Sequence, residues 1–181
     1  MRVFIAIHFP KEVQMVLYQR VQDLKKASIR GRFTRNENMH LTLAFLGEIA
    51  SERVEEVIKI MNQVASEHTS FEMKLGGLGK FASRGEGLYW CGIEENEALK
   101  VLQHKLVKSL KESEFSVDDK PFKPHITLAR RCILSADIEE KMFSEEKPPT
   151  SMKVAKINLM KSEHIEGKLI YSSLAEVSLQ E

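Results

Sequence analysis

The sequence predicts a mixed fold of strands and helices in which two similar units pack across a cleft. Its 181 residues, 43% of them hydrophobic, are enough to bury a core as one domain or as two tightly joined lobes. Each half of the chain shows the same order of patterns, which is strand, helix, strand, helix, strand. The third observation is a repeated motif, His-Leu-Thr-Leu-Ala at 40–44 and His-Ile-Thr-Leu-Ala at 125–129.

The first repeat covers about residues 1–76. Apolar residues at the strand period or at the helix period predict each of its elements. In order, these are a strand over Arg2–Phe9, a helix from Lys11 to about Ile29, a basic connection over 30–35, the first His strand to Gly47, a helix capped by Ser51 that runs from Val54 to about His68, and a strand over 71–75.

The second repeat covers about residues 87–160 and follows a Gly-rich stretch, 76–87, that we interpret as a loop. Spacing supports the repeat, because Ala6 precedes His40 by 34 residues and Gly92 precedes His125 by 33. Two such units usually pack about a pseudo-two-fold axis, with the His strands symmetrical along the cleft. The predicted elements are a strand over Leu88–Ile93, a helix over Leu99–Leu110, the second His strand over Phe122–Arg131, a helix over Ile138–Phe143, a strand that begins near Val154, and a strand over Leu169–Leu179 that has no counterpart in the first repeat.

The repeated motif places one polar pair on one face of each His strand. Side chains of a strand alternate between its faces, so His40 shares a face with Thr42, and His125 shares one with Thr127. A single such pair is most often only a satisfied polar pair, but its duplication at equivalent places favours a function. Two histidines that face one cavity suit a reaction in which one proton is removed and another is delivered, because imidazole titrates near neutrality.

Charge around the motifs favours an anionic ligand. The formal net charge of +1 gives no global field that would hold a long polyanion. Acid-free groups of cations nevertheless flank both motifs: Arg30, Arg32 and Arg35 before the first, and Lys120, Lys123, Arg130 and Arg131 around the second. With the Thr hydroxyls, these cations point to a phosphate site. A regular strand would turn Arg130 away from this face, so Arg130 reaches the site only through a bulge, the strand end or its long side chain.

Other candidate sites are weaker. The segment 76–80 lacks the full Walker pattern and is interpreted as a turn. Zinc would need a third ligand, which His8 could supply, but no HExxH motif accompanies it, and we expect no metal and no cofactor. His164 is interpreted as a surface residue of a polar turn. Cys91 and Cys132 show no CxxC spacing, and no apolar run could span a membrane, so a reduced, cytoplasmic protein is expected.

The paired motifs resemble the hallmark of the 2H phosphoesterase superfamily. More narrowly, the chain is similar to its RNA 2′,3′-cyclic phosphodiesterase branch, also called the 2′-5′ RNA ligase or LigT-like family. The resemblance runs nearly end to end and includes the segments 2–7, 45–48, 120–130, which contains the second motif, and 158–162, together with Gly167 and Tyr171. It implies a single bilobal α+β domain over 1–181, in which each lobe has an antiparallel sheet flanked by helices, with a central cleft.

The resemblance also implies an activity and a role for each site residue. The protein would be a phosphoric diester hydrolase that opens a terminal 2′,3′-cyclic phosphate to a 2′-phosphate without a metal. His40 would be the general acid that protonates the departing 3′ oxygen, and His125 would be the general base that activates water. Thr42, Thr127 and Arg130 would bind the phosphate oxygens. The expected partners are RNA or oligonucleotides with cyclic phosphate ends and small cyclic nucleotides, bound by a monomer.

Two departures and two alternatives stand beside this hypothesis. Relatives often have Trp and Pro where this chain has Phe33 and Arg35, which leaves the contacts to the RNA strand open. Phe45 and Phe122 are expected to pack in the core. The first alternative is the reverse reaction, which joins a cyclic phosphate to a 5′-hydroxyl as a 2′-5′ linkage. The second is a non-catalytic module that binds nucleotides or RNA.

Overall fold

The computed structural model describes residues 1–83, 85–118 and 120–181. Along these residues lie nine strands and four α-helices: β1 (Arg2–Ile7), α1 (Lys11–Ala27), β2 (Arg30–Phe33), β3 (Leu41–Glu48), α2 (Val54–Ala65), β4 (Phe71–Ser83), β5 (Glu86–Ile93), α3 (Glu97–Glu112), β6 (His125–Ile133), α4 (Ala136–Ser144), β7 (Ser151–Val154), β8 (Lys156–Ile165) and β9 (Lys168–Ser178). Two short 3₁₀ turns, Asn36–Asn38 and Ser51–Arg53, precede β3 and α2. None of the described helices is long and apolar enough to cross a membrane.

The strands form two antiparallel sheets. The first sheet has the order β3-β1-β8-β9, and the second has the order β2-β6-β5-β4-β7. The predicted α+β class is therefore confirmed. The last strand of each predicted repeat belongs to the sheet of the other repeat. Strand β4 pairs with β5 in the second sheet, and β8 pairs with β1 in the first. This exchange ties the two halves of the chain together, while the bounds of the repeats and their pseudo-two-fold axis stay predictions.

The helices cover the outer faces of the two sheets and leave the inner faces to the cleft. Helices α2 and α3 pack on the first sheet, whereas α1 and α4 pack on the second. The apolar stripes predicted from helical spacing form the main core, with side chains such as Leu17, Met61 and Leu106 fully or almost fully buried. Burial of each such side chain contributes about 1.5–3 kcal/mol. On the inner face of the first sheet, Phe4 and Met160 belong to a separate small apolar cluster.

The Gly-rich stretch 76–87 is mostly strand, so its interpretation as a loop, with a turn over 76–80, was wrong. Strand β4 continues through it to Ser83, and β5 begins at Glu86. The glycines provide space for a neighbouring side chain: a Cβ added to Gly79 would lie 2.1 Å from Cη2 of Trp90. A glycine in a strand interior is typical where another group approaches the backbone closely.

Two smaller predictions also failed. The basic connection over 30–35 contains a strand, β2, which pairs with β6. Ser51 does not cap α2; it lies in the 3₁₀ turn, and the helix begins at Val54 without a side-chain cap. The guanidinium of Arg53 instead bonds the Glu56 carboxylate at 2.9 Å and the Ser113 carbonyl at 2.7 Å.

Candidate active site

The two motif histidines stand at the same place in different sheets. His40 immediately precedes β3, and His125 is the first residue of β6. In each case Nδ1 lies close to the carbonyl oxygen two residues earlier, at 2.8 Å from Asn38 and at 2.6 Å from Lys123. A carbonyl oxygen only accepts a hydrogen bond, so Nδ1 is the donor in each ring, and Nε2 of the neutral ring is the nitrogen without a hydrogen.

A cavity of about 620 Å³ lies between the two sheets and contains both histidines. Its volume is within the range of small-molecule sites. It brings together all five residues that the sequence analysis proposed for the site: His40, Thr42, His125, Thr127 and Arg130. The other lining residues come from the β2–β3 segment and from the hairpin of β8 and β9: Arg32, Phe33, Thr34, Arg35, Asn38, His164, Gly167, Lys168, Leu169 and Tyr171.

A β-bulge brings Arg130 to the cavity. In the pairing of β6 with β5, Thr127 faces Trp90 and Ala129 faces Tyr89, so Leu128 is an extra residue. Leu128 and Ala129 are both buried, and the alternation of faces therefore shifts by one position before Arg130. Of the three routes that the sequence left open for Arg130, the structure shows the bulge.

The first motif has a corresponding bulge, which corrects the interpretation of Phe45. Strand β3 pairs Thr42 with Ala6 and Ala44 with Ile5, so Leu43 is the extra residue there. Phe45 consequently leaves the core. The residue is 39% exposed, and its ring lies under the guanidinium of Arg2, whose Cζ is 4.9 Å from the ring centroid. Phe122, by contrast, packs against the core as expected.

Aromatic side chains hold the two imidazoles. The ring of His40 forms a cluster with the rings of Phe4 and Tyr171, at centroid distances of 4.8 and 5.1 Å, and these two rings lie 5.0 Å from each other. The ring of His125 contacts Phe81 at 5.1 Å and lies 6.3 Å from Trp90. With Nδ1 bound to a backbone carbonyl, each ring is fixed in orientation, which is what proton transfer at a defined atom requires.

Burial makes His40 a weak base in the free protein. Desolvation lowers the pKa of His40 from 6.5 to about 4, although the bond to the Asn38 carbonyl opposes this change. The nearby charges of His8, Arg130 and His125 lower the pKa further. His40 is therefore neutral at pH 7 as long as no anion occupies the cavity.

Positive charge predominates in the cavity wall, although Arg35 forms an ion pair with Glu37, which is not a lining residue, at 3.4 Å. Its lining includes Arg32, Arg35, Arg130 and Lys168, and none of the described lining residues is Asp or Glu. Such a field in a concave site concentrates anions and stabilises negative charge that develops during a reaction. Of the cations that flank the motifs in the sequence, three line the cavity, Arg32, Arg35 and Arg130; the other four do not, namely Arg30, Lys120, Lys123 and Arg131.

The hairpin of β8 and β9 supplies residues that the sequence analysis missed. His164 lines the cavity, so its interpretation as a surface residue of a turn was incomplete. The carbonyl of Leu169 accepts hydrogen bonds from Arg35 at 2.7 Å and from Asn38 at 3.0 Å, which ties the hairpin to the segment before His40. The period-two pattern of β8 could have placed His164 on the same face as Met160.

The metal-binding side chains of the described residues are not clustered. Among the described residues, no three His, Cys, Asp or Glu side chains are grouped so that they could hold a metal ion. His8 is not among the residues that line the cavity. Cys91 and Cys132 are buried free thiols, and burial raises the pKa of Cys91 to about 11.

Known proteins match this chain over nearly its whole length. Two relatives bear the name RNA 2′,3′-cyclic phosphodiesterase: that of Thermus thermophilus is 32% identical, covering 99% of this chain and 91% of its own, and that of Thermotoga maritima is 29% identical, covering 99% and 96%. The crystal structure of Escherichia coli LigT complexed with 3′-AMP has a TM-score of 0.81 at 26% identity, covering 99% of this chain and 98% of its own. Residues 13–166 match the family described as the 2′-5′ RNA ligase superfamily, and the chain belongs to that superfamily.

Proposed function

We propose that this protein hydrolyses the terminal 2′,3′-cyclic phosphate of RNA or of short oligonucleotides and leaves a 2′-phosphate. The observation that carries the proposal is the pair of imidazoles in one cavity without carboxylates, each with Nδ1 held by a backbone carbonyl. A site that only binds an anion needs cations. It does not need two histidine rings of fixed orientation. Relatives named for this activity, and one that holds a mononucleotide in a crystal, support the proposal.

The reaction proceeds by in-line attack of water on phosphorus. Nε2 of His125 takes a proton from the water as the new P–O bond forms. The bond from phosphorus to the 3′ oxygen breaks, and His40 delivers a proton to that oxygen. The hydroxyls of Thr42 and Thr127 and the guanidinium of Arg130 bind the non-bridging oxygens. After the product leaves, His125 releases its proton to solvent, and His40 takes a proton from solvent once the next substrate is bound.

The role of His40 as acid depends on the substrate. At a pKa of about 4, the free His40 carries no proton to give at pH 7. A bound cyclic phosphate brings a negative charge into the same cavity, and an adjacent opposite charge raises the pKa of a histidine. We therefore expect the pKa of His40 to rise when phosphate binds, which an NMR titration of its ring protons with and without uridine 2′-phosphate would measure. A pKa that stays near 4 in the complex would contradict the acid role.

Hydrolysis of uridine 2′,3′-cyclic phosphate in the presence of EDTA tests the function. The wild type should form uridine 2′-phosphate at neutral pH with or without the chelator. The variants His40→Ala and His125→Ala should each lose roughly 10²–10⁴-fold in rate. His104→Ala is the matched control, because His104 is exposed on α3, away from the cavity. Loss of activity on chelation would refute the metal-free mechanism.

The name of the superfamily favours ligation as a second candidate activity. The same two histidines would run the reverse reaction, with the 5′-hydroxyl of a second RNA in place of water. Product analysis at a high concentration of RNA ends measures the ratio of ligation to hydrolysis. Tight nucleotide binding without either product would instead indicate the non-catalytic module.

The free, buried thiols of Cys91 and Cys132 suit a reducing compartment, and we propose that the protein acts in the cytoplasm as a monomer. Fractionation of the cell that makes the protein tests the first part, and sedimentation of the pure protein tests the second. Recovery of the protein outside the cytoplasm, or sedimentation as a dimer, would contradict the corresponding part.

A further inference from the structure

Two arginines, Arg32 and Arg130, lie side by side on neighbouring strands in the cavity wall. Arg32 of β2 is paired in register with Arg130 of β6, and both line the cavity. Residues directly opposite each other on antiparallel strands share a face, and like charges in such a pair are destabilising. An anion bound beside the pair would offset this repulsion.

The two arginines also lack the partners that their neighbours have. Among the described residues, no carboxylate forms an ion pair with Arg32 or Arg130. On the same two strands, Arg30 lies 2.8 Å from Glu86, and Arg131 lies 4.0 Å from the same carboxylate. The two arginines that do not line the cavity thus share one carboxylate, whereas the pair inside it has none among the described residues.

One cyclic phosphate does not account for all of this charge. It has a single negative charge and two non-bridging oxygens, for which Thr42, Thr127 and Arg130 already provide donors in the proposed function. Arg32 is left on one wall, and Lys168, at the start of β9 in the other sheet, is left across from it. The proposed function gives neither Arg32 nor Lys168 a role at the cyclic phosphate, so both cations are available to a further anionic group.

We propose that Arg32, with Lys168, binds a second phosphate group, the one on the 5′ side of the terminal nucleoside. The proposal rests on the proposed function and narrows its substrate class. Substrates that carry this second phosphate are preferred over nucleoside 2′,3′-cyclic phosphates that lack it. Two sources share the chemistry, namely the internucleotide diester of an oligonucleotide and the 5′-monophosphate of a single nucleotide.

Three substrates separate these sources: uridine 2′,3′-cyclic phosphate, its 5′-phosphorylated form, and the dinucleotide ApU with a 2′,3′-cyclic phosphate end. A charge-assisted hydrogen bond to phosphate corresponds to a loss of about tenfold or more when the donor is removed. Arg32→Gln should therefore lose about tenfold more kcat/KM on a substrate with the second phosphate than on uridine 2′,3′-cyclic phosphate. Loss on ApU alone assigns the diester, and loss on both assigns the phosphate group in general.

Variants at Arg30 and Arg32 of β2 test whether the loss in Arg32→Gln reflects contact with the second phosphate. Arg30→Gln removes an arginine whose partner is Glu86 and should leave all three rates unchanged. Arg32→Lys keeps the charge and should restore part of the loss. The salt dependence gives a second readout, since Arg32→Gln should weaken the decrease of kcat/KM with rising salt more on a substrate that carries the second phosphate than on uridine 2′,3′-cyclic phosphate.

Two results would overturn the inference while the proposed function stands. In the first, Arg32→Gln lowers kcat/KM equally on all three substrates, which assigns Arg32 to the cyclic phosphate. In the second, Arg32→Gln lowers kcat/KM on none of them. Lys168→Gln gives a second test if Arg32→Gln unfolds. Should the wild type hydrolyse none of the substrates, the proposed function fails. Calorimetry then measures the affinities of the wild type and of Arg32→Gln for ApU 2′-phosphate and for uridine 2′-phosphate. The second phosphate site stands if Arg32→Gln loses about tenfold more affinity for ApU 2′-phosphate, and fails if the two losses are equal.

Discussion

The burial of His40 predicts that the protein loses stability as the pH falls below neutrality. Desolvation holds the pKa of this imidazole at about 4 in the folded protein, against 6.5 in the unfolded chain. Between these two values the unfolded chain binds the proton and the folded protein does not. Stability is therefore fully present above pH 6.5, decreases as the pH falls through this window, and levels off below about pH 4.

The expected size of this effect follows from the difference between the two pKa values. A fall from 6.5 to about 4 corresponds to about 3 kcal/mol of the free energy of unfolding, as an upper value for a single group. His8, whose pKa burial also lowers, contributes in the same direction. The difference between the wild type and a variant of His40 therefore isolates the contribution of His40.

Urea denaturation of the wild type and of His40→Gln between pH 4 and pH 8 measures this difference. We expect the free energies of unfolding of the two proteins to converge, or to cross, as the pH falls, because the variant has no group to protonate at this position. His104→Gln, on an exposed face of α3, should keep the slope of the wild type. A difference between wild type and His40→Gln that is constant across the window would refute the reasoning.

Two further predictions concern the surroundings of the site. Gly79→Ala should destabilise the protein by about 1–3 kcal/mol, because the new methyl group collides with Trp90, whereas Gly77→Ala, with open space at its Cβ, should not collide; thermal denaturation compares the two. Asn38→Ala removes the hydrogen bond to the Leu169 carbonyl and should loosen the β8–β9 hairpin, at a cost of about 1 kcal/mol. Hydrogen exchange at the hairpin amides would show faster opening, and unchanged exchange would contradict this reading.

The paired motifs could be recognised from the sequence because their information is local. The strand period alone puts His40 on the same face as Thr42, and the duplication of the motif favours a function over a chance polar pair. The structure confirms that both pairs line one cavity. The apolar spacing of the long helices was sufficient to predict their buried faces for the same reason, because each buried stripe repeats within a few turns of the helix.

Features that depend on a partner strand could not be predicted. The bulge at Leu128 is a property of the pairing between β6 and β5, and the sequence around Arg130 permits three routes to the site. The glycines of β4 form a pattern that is typical of a loop. Their role depends on Trp90 of the next strand, whose ring occupies the space beside Gly79. The exchange of β4 and β8 between the sheets likewise concerns residues far apart in the chain.

The division of labour between His40 and His125 is tested most directly with a substrate whose leaving group needs no acid. The measurement is kcat/KM of the wild type, His40→Ala and His125→Ala on uridine 2′,3′-cyclic phosphate and on its 3′-thio analogue, since a thiolate leaves without protonation. We expect both variants to be impaired on the oxygen substrate, and only His40→Ala to recover on the thio analogue. Recovery of His125→Ala instead would reverse the two roles, and near-wild-type rates for either variant on the oxygen substrate would contradict two-histidine catalysis.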